Sequence, residues 1–165
     1  MAVSTVVKNF RDGTILVEDA TSPTPLAYTV QFEAGDFSVS GLMANQKEVT
    51  TYLDRGDLGS VRYTNQTFPS GSFSVHFTDL SDSSDKLLAD ALTKRGAFSS
   101  AVSTLGANAE VYTVKLTLTI EGTDHGDSAD HTIVLDDCAC SVDFAEGDPN
   151  SLSVSFTCYG TITLT

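Results

Sequence analysis

Three cysteines, Cys138, Cys140 and Cys158, are the side chains best suited to hold a soft metal or to form a disulfide. Their odd number rules out a framework in which every cysteine is paired. Cys138 and Cys140 stand two apart, which on a strand puts both thiols on one face, and Cys158 falls on the last predicted strand, where it can neighbour them. A zinc site needs a fourth ligand at a recognisable spacing, and none is present. Free cysteine behaves as a small hydrophobe, so the three are expected as buried, reduced thiols. A second group is Thr123-Asp124-His125-Gly126-Asp127-Ser128-Ala129-Asp130-His131, with two His and three Asp in nine residues. Its spacing matches neither a zinc site nor a calcium loop. With its Gly and Ser it reads as a solvated hairpin loop between two strands. Asp79, Asp82 and Asp85 lack the glycine and closing glutamate of a calcium loop and read as acids at the start of a helix. There is no nucleophile elbow, no phosphate loop and no His beside an evident nucleophile. The chain is therefore expected to be no enzyme and to need no metal or cofactor.

Charge narrows the partners. Nine basic and 22 acidic residues give a net charge of −13, and no Lys or Arg follows Lys115. A protein that grips phosphates must displace counterions with cations, so nucleic-acid binding is not expected. An acidic surface that repels DNA or maintains solubility fits the composition. No apolar run approaches the roughly 18 residues of a membrane span. The first ten residues lack the charged start and apolar stretch of a signal peptide, so an unprocessed cytoplasmic chain is expected.

The elements that must carry these groups are mostly strands. Tyr112, Val114, Leu116, Leu118 and Ile120 alternate with Thr113, Lys115, Thr117 and Thr119, a period of two that places the second set on the solvent side. Leu152, Val154, Phe156, Cys158, Ile162 and Leu164 alternate with Ser and Thr, as do Phe73, Val75 and Phe77. Shorter strands are expected at 3–10, 14–17, 26–32, 37–42, 49–53, 60–63 and 132–142. Strand follows strand through short polar turns such as Arg11-Asp12-Gly13, which implies a mainly β fold, an antiparallel sandwich or barrel. One segment differs. Over 83–95, Leu87, Leu88, Ala91 and Leu92 recur at helical spacing, with Asp82, Ser83, Ser84 and Asp85 as N-cap candidates and Lys94, Arg95 and Gly96 suited to the end. One short helix is expected to lie across a sheet. No repeat or linker marks a second domain, so residues 1–165 read as one domain.

Ser and Thr make up 40 of the 165 residues, many of them opposite the core face of a strand. Hydroxyl faces cost far less to bury in an interface than charged ones, and they can hydrogen-bond across a joint. They suit a subunit packed by neighbours on several sides.

Arg55-Gly56-Asp57 spells an adhesion tripeptide, which a turn between two strands explains without a receptor. It belongs to a longer run over 53–73: the turn Asp54-Arg55-Gly56, a strand ending in Arg62-Tyr63-Thr64, then Pro69-Ser70-Gly71-Ser72-Phe73 opening the next strand. The run, continuing to Thr78, resembles the central segment of tail tube (major tail) proteins of long-tailed bacteriophages and prophages. The resemblance implies a β-sandwich subunit that closes into a six-fold ring, with rings stacked into a hollow tube through which DNA passes without specific binding. It also implies self-association, contacts with tape-measure, tail-terminator and baseplate or tip proteins, and a place in the virion tail after assembly in the host cytoplasm. Asp54, Arg55, Gly56, Asp57, Arg62 and Tyr63 are the expected inter-subunit contacts. Arg55 and Arg62 are two of only nine cations, and like-charged subunits need local cations to meet a neighbour's acids. Asp136, Asp137 and Asp143 are the expected acidic surface or lumen residues. A capsid-decoration or other virion β protein would share this composition and self-association without stacking into tubes, and a secreted binding or adhesion module would use Arg55-Gly56-Asp57.

Overall fold

In the computed structural model, residues 13–31, 33–42, 47–78, 86–122 and 129–165 are described. The expected strand at 3–10, the turn at Arg11 and Asp12, the acids Asp79, Asp82 and Asp85, and most of the His/Asp run (123–128) lie outside them.

The fold is mainly antiparallel β, as the alternation predicts. Among the described residues ten strands form: β1 Thr14–Glu18, β2 Ala27–Thr29, β3 Ser38–Ser40, β4 Lys47–Asp54, β5 Asp57–Gln66, β6 Ser70–His76, β7 Val114–Ile120, β8 His131–Ala145, β9 Ser151–Cys158 and β10 Ile162–Leu164. Eight of them make one sheet in the order β2-β1-β7-β8-β9-β6-β3, with β10 also paired to β8; β4 and β5 form a sheet of their own.

Strand β8 is the corner of the large sheet. Its first half pairs with β7 and β10, and its second half pairs with β9 from Cys138↔Cys158 to Ala145↔Ser151. The change comes at a bulge, where Leu116↔Leu135 gives way to Val114↔Cys138 and Asp137 takes φ 54°. A bulge bends and twists a strand, which is how one strand serves two packed halves. Ile15, Val17, Leu116 and Leu135 from one half join Phe73, Val75, Val154 and Phe156 from the other in a single core cluster.

The α-helix among the described residues, α1 Leu88–Thr93, packs Leu88, Ala91 and Leu92 into that core, as the helical spacing predicts. Leu87 occupies the N-cap position without a side-chain cap, and the residues proposed as caps lie outside the described segments. The helix ends where Lys94 turns left-handed at φ 57°, its N–H bonding the Asp90 carbonyl. Gly96 follows at φ 51°, where a Cβ would run into the Asp90 carboxylate.

Two assignments change. Tyr112 lies before β7 rather than in it, with its hydroxyl donating to the Ala91 carbonyl at 3.1 Å. Thr113, expected on the solvent side, is fully buried. The loop over 99–113 folds back across it, and its hydroxyl sits 2.9 Å from those of Ser103 and Thr104, while Ser103 donates to the Val111 carbonyl at 2.9 Å. A buried hydroxyl is tolerated only when bonded in this way.

Candidate functional site: an exposed ribbon and a hydroxyl face

The segment with the family-like motifs folds as a two-stranded ribbon, β4–β5, whose extensive packing is with itself. Pairing runs Val49↔Tyr63, Thr50↔Arg62, Thr51↔Val61, Tyr52↔Ser60, Leu53↔Leu58 and Asp54↔Asp57, with a bulge at Gly59. Arg55 (φ 51°) and Gly56 (φ 95°) close it. Left-handed backbone at both central positions is a type I′ turn, whose twist matches that of a hairpin. Gly56 adopts it freely; Arg55 is held there at a steric cost.

Strand alternation sorts the ribbon into two faces. Val49, Thr51, Leu53, Leu58, Val61 and Tyr63 fall on one, and Thr50, Tyr52, Ser60 and Arg62 on the other. The first face is apolar yet open: Tyr63 is 75% exposed, and Leu53 and Leu58 are each 64% exposed. The second is tied by a Thr50–Thr64 hydroxyl contact at 3.5 Å. At the tip, Asp54 and Asp57 face each other across the turn. Like charges directly opposite repel. Among the described residues, neither Arg55 nor Arg62 makes an ion pair, whereas Lys115 pairs with Glu18 at 2.6 Å. The six residues proposed as contacts are thus brought together on one projecting element.

The three expected acids fall in two places on β8. Asp143 is exposed. Asp136 and Asp137 sit half-buried at the β8 bulge, where the Asp136 carboxylate accepts the Thr161 hydroxyl at 2.7 Å and the Asp137 carbonyl accepts the Tyr159 N–H. These two shape the corner of the sheet.

Asp143 belongs to a hydroxyl face spanning β3, β6, β9 and the second half of β8. Ser38↔Ser72↔Ser155↔Ser141 form one row across four strands, and Ser74↔Ser153↔Asp143 form the next. Within the first row, Ser141 and Ser155 lie 2.7 Å apart and Ser38 and Ser72 3.3 Å apart. Small side chains leave an open trough of about 700 Å³ over Ser38, Ser72, Ser141 and Ser155. The Ser/Thr alternation of β6 and β9 foretold this face; its extension through the short β3 was visible only in the pairing. The ribbon's apolar face also had a sequence signal, since Val49, Leu53, Val61 and Tyr63 alternate around a turn.

The cysteines meet as expected from their faces. Cys138 and Cys158 are buried cross-strand partners, and Cys140 is half-buried beside the same core. Burial pushes the Cys140 thiol up to about 12.

No protein-family model matches the chain, and no curated protein matches it in sequence. Solved structures do match its fold. The sheath/tube terminator of an extracellular contractile injection system, PVC, in its extended state superposes with a TM-score of 0.57 at 13% identity, over 99% of each chain. A chain of the PVC sheath–tube complex gives 0.57 at 12% identity, over 99% of this chain and 93% of that one. The tube-terminating cap of the anti-feeding prophage gives 0.53 at 13% identity, over 100% and 94%. At these identities the likeness is one of fold, and it runs the length of the chain.

Proposed function

We propose that this chain is a structural subunit of a phage-type tail, a tube protein that associates with copies of itself into rings stacked around a DNA conduit. The observation that carries the reading is the β4–β5 ribbon. An isolated two-stranded hairpin is at best marginally stable in water. This one nevertheless extends an apolar face carrying Val49, Leu53, Leu58, Val61 and Tyr63 into solvent. Covering a side chain of that size contributes about 1.5–3 kcal/mol. A ribbon with such a face is completed by another surface, and a second copy of the chain supplies one at high local concentration. The cations act at the same place: Arg55, held in a strained turn, and Arg62 are free to meet acids on an acidic neighbour. The full-length fold match to tube and terminator components supports the same reading, as does the resemblance of the 53–78 segment to tail tube proteins.

On this reading the hydroxyl face and Asp143 give a surface past which polyanionic DNA moves without sticking. Tape-measure, terminator and baseplate or tip proteins are the other partners, the particle tail is the final location, and the role is structural rather than catalytic.

Electron microscopy of the purified protein tests the proposal. Stacked rings or tubes are expected; monomers at high concentration would overturn it. Two of the matched structures are a terminator and a cap, which favours one alternative, a subunit that forms a single closing ring. Isolated rings that never stack would select that reading.

A further inference from the structure

The core of the β8 corner holds an unusual pair. Cys138 is completely buried and Cys158 is 1% exposed, and they are direct cross-strand partners immediately after the bulge. The hydrogen-bond pattern fixes the kind of pairing. The Cys158 N–H points away from β8 to the Pro69 carbonyl, and the flanking Tyr159 N–H bonds the Asp137 carbonyl at 3.1 Å. The two cysteines therefore occupy a non-hydrogen-bonded site, where opposed Cα atoms approach to about 4.5 Å and side chains stand closest. That separation lies within the range a disulfide spans.

Both residues belong to the core cluster, where the Cys138 thiol donates to the Leu135 carbonyl at 3.5 Å and the Cys158 thiol to the Asp136 carbonyl at 3.1 Å. The neighbouring Cys158 and burial push the Cys138 thiol up. Cys158 ends β9, a strand terminus where local opening costs least, so its thiol is the one that meets an oxidant first. Cys140, two residues along β8, pairs instead with Phe156.

We propose that Cys138 and Cys158 form a thiol–disulfide couple that clamps β9 to the bulge of β8 when the protein meets an oxidant. With a peroxide the steps balance. The Cys158 sulfur attacks one peroxide oxygen and the O–O bond breaks, giving a sulfenic acid and one water. The Cys138 sulfur then displaces the hydroxyl from Cys158, forming the S–S bond and a second water. Two thiols lose two electrons and two protons, and the peroxide takes them up. The crosslink would hold the half of the sheet that carries β7 and β10 against the half that carries β9. It does so at the residue where β8 passes between them.

The experiment treats the folded full-length protein with hydrogen peroxide, unfolds it in the presence of an alkylating agent, and maps peptides without reduction. A Cys138–Cys158 crosslinked peptide pair is expected, with Cys140 alkylated. The oxidised protein is expected to melt at a higher temperature than the reduced one, and dithiothreitol should reverse both changes. The variant Cys140→Ser, which leaves the pair intact, should crosslink equally well. Three alkylated cysteines, a crosslink through Cys140, or sulfinic acid at Cys158 without a crosslink would each overturn the proposal. So would a crosslink that leaves the melting temperature unchanged.

Discussion

The Asp19 carboxylate accepts a hydrogen bond from the backbone N–H of Val102, 83 residues away, at 2.9 Å. It also accepts from the Leu26 N–H at 2.6 Å, the Thr21 N–H at 3.1 Å and the Thr21 hydroxyl. One buried acid thus ties the chain after β1 to the loop that covers Thr113. Burial by itself would raise its pKa, but the bonds from Thr21, Val102 and Leu26 outweigh it and hold the group below its ordinary 3.8.

Asp19→Asn should therefore be costly, because an amide cannot accept all of these donors. Hydrogen bonds to a charged group contribute about 1.5–3 kcal/mol each, so a loss of about 3 kcal/mol is expected in a denaturant titration at pH 7. The sign of the pH dependence follows from the lowered folded pKa. The stabilisation is present above 3.8, the value approached in the unfolded chain, and is lost as pH falls through the lower folded value. The gap between wild type and Asp19→Asn should narrow below pH 4. A gap that stays constant to pH 2 would mean the charge contributes nothing.

Gly71→Ala tests the junction between β3 and β9. A Cβ at Gly71 would lie 2.1 Å from the Ser38 carbonyl oxygen and 2.5 Å from the Phe156 ring. That ring is stacked on Phe37 at 5.8 Å and cannot retreat freely. Overpacking of this kind costs about 1–3 kcal/mol, so a melting temperature several degrees lower is expected. No change would show that β3 is not held against the sheet.

The ribbon separates folding from assembly. Leu53→Ser with Leu58→Ser removes two side chains that are already exposed, so the melting temperature of the monomer should move little. Assembly, read by sedimentation or microscopy, should be lost. Arg55→Glu with Arg62→Glu should give the same result, and high salt should weaken wild-type assembly. Normal tubes from both double variants would remove the ribbon from the interface.

The acids divide in a comparable way. Asp143→Lys places a cation on the hydroxyl face without breaking a bond, so folding is expected to be normal and weak, salt-sensitive DNA binding to appear. Asp136→Lys removes the acceptor of the Thr161 hydroxyl at the bulge and should cost about 1 kcal/mol of stability instead. Equal melting temperatures for the two variants would contradict this division.

The sequence by itself determined most of the described strands and the helix α1. Alternation along β6, β7 and β9 names their core side chains, because a strand half buried in a sheet must alternate. The turn at Arg55-Gly56 was legible for a related reason, since few residues adopt its backbone freely. The nearness of Cys138, Cys140 and Cys158 followed from side-chain periodicity. Tertiary structure alone decided that β4 and β5 leave the main sheet. An apolar alternation looks the same whether its face meets the protein's own core or a partner. It also decided that Asp136 and Asp137 sit at a bulge while Asp143 lies on regular strand beyond it, because the one-residue insertion in β8 interrupts the alternation there. Thr113 and Asp19 are the clearest cases. A polar residue in a strand pattern reads as solvated, and only a loop folding back from far along the chain supplies the partners that allow it to be buried.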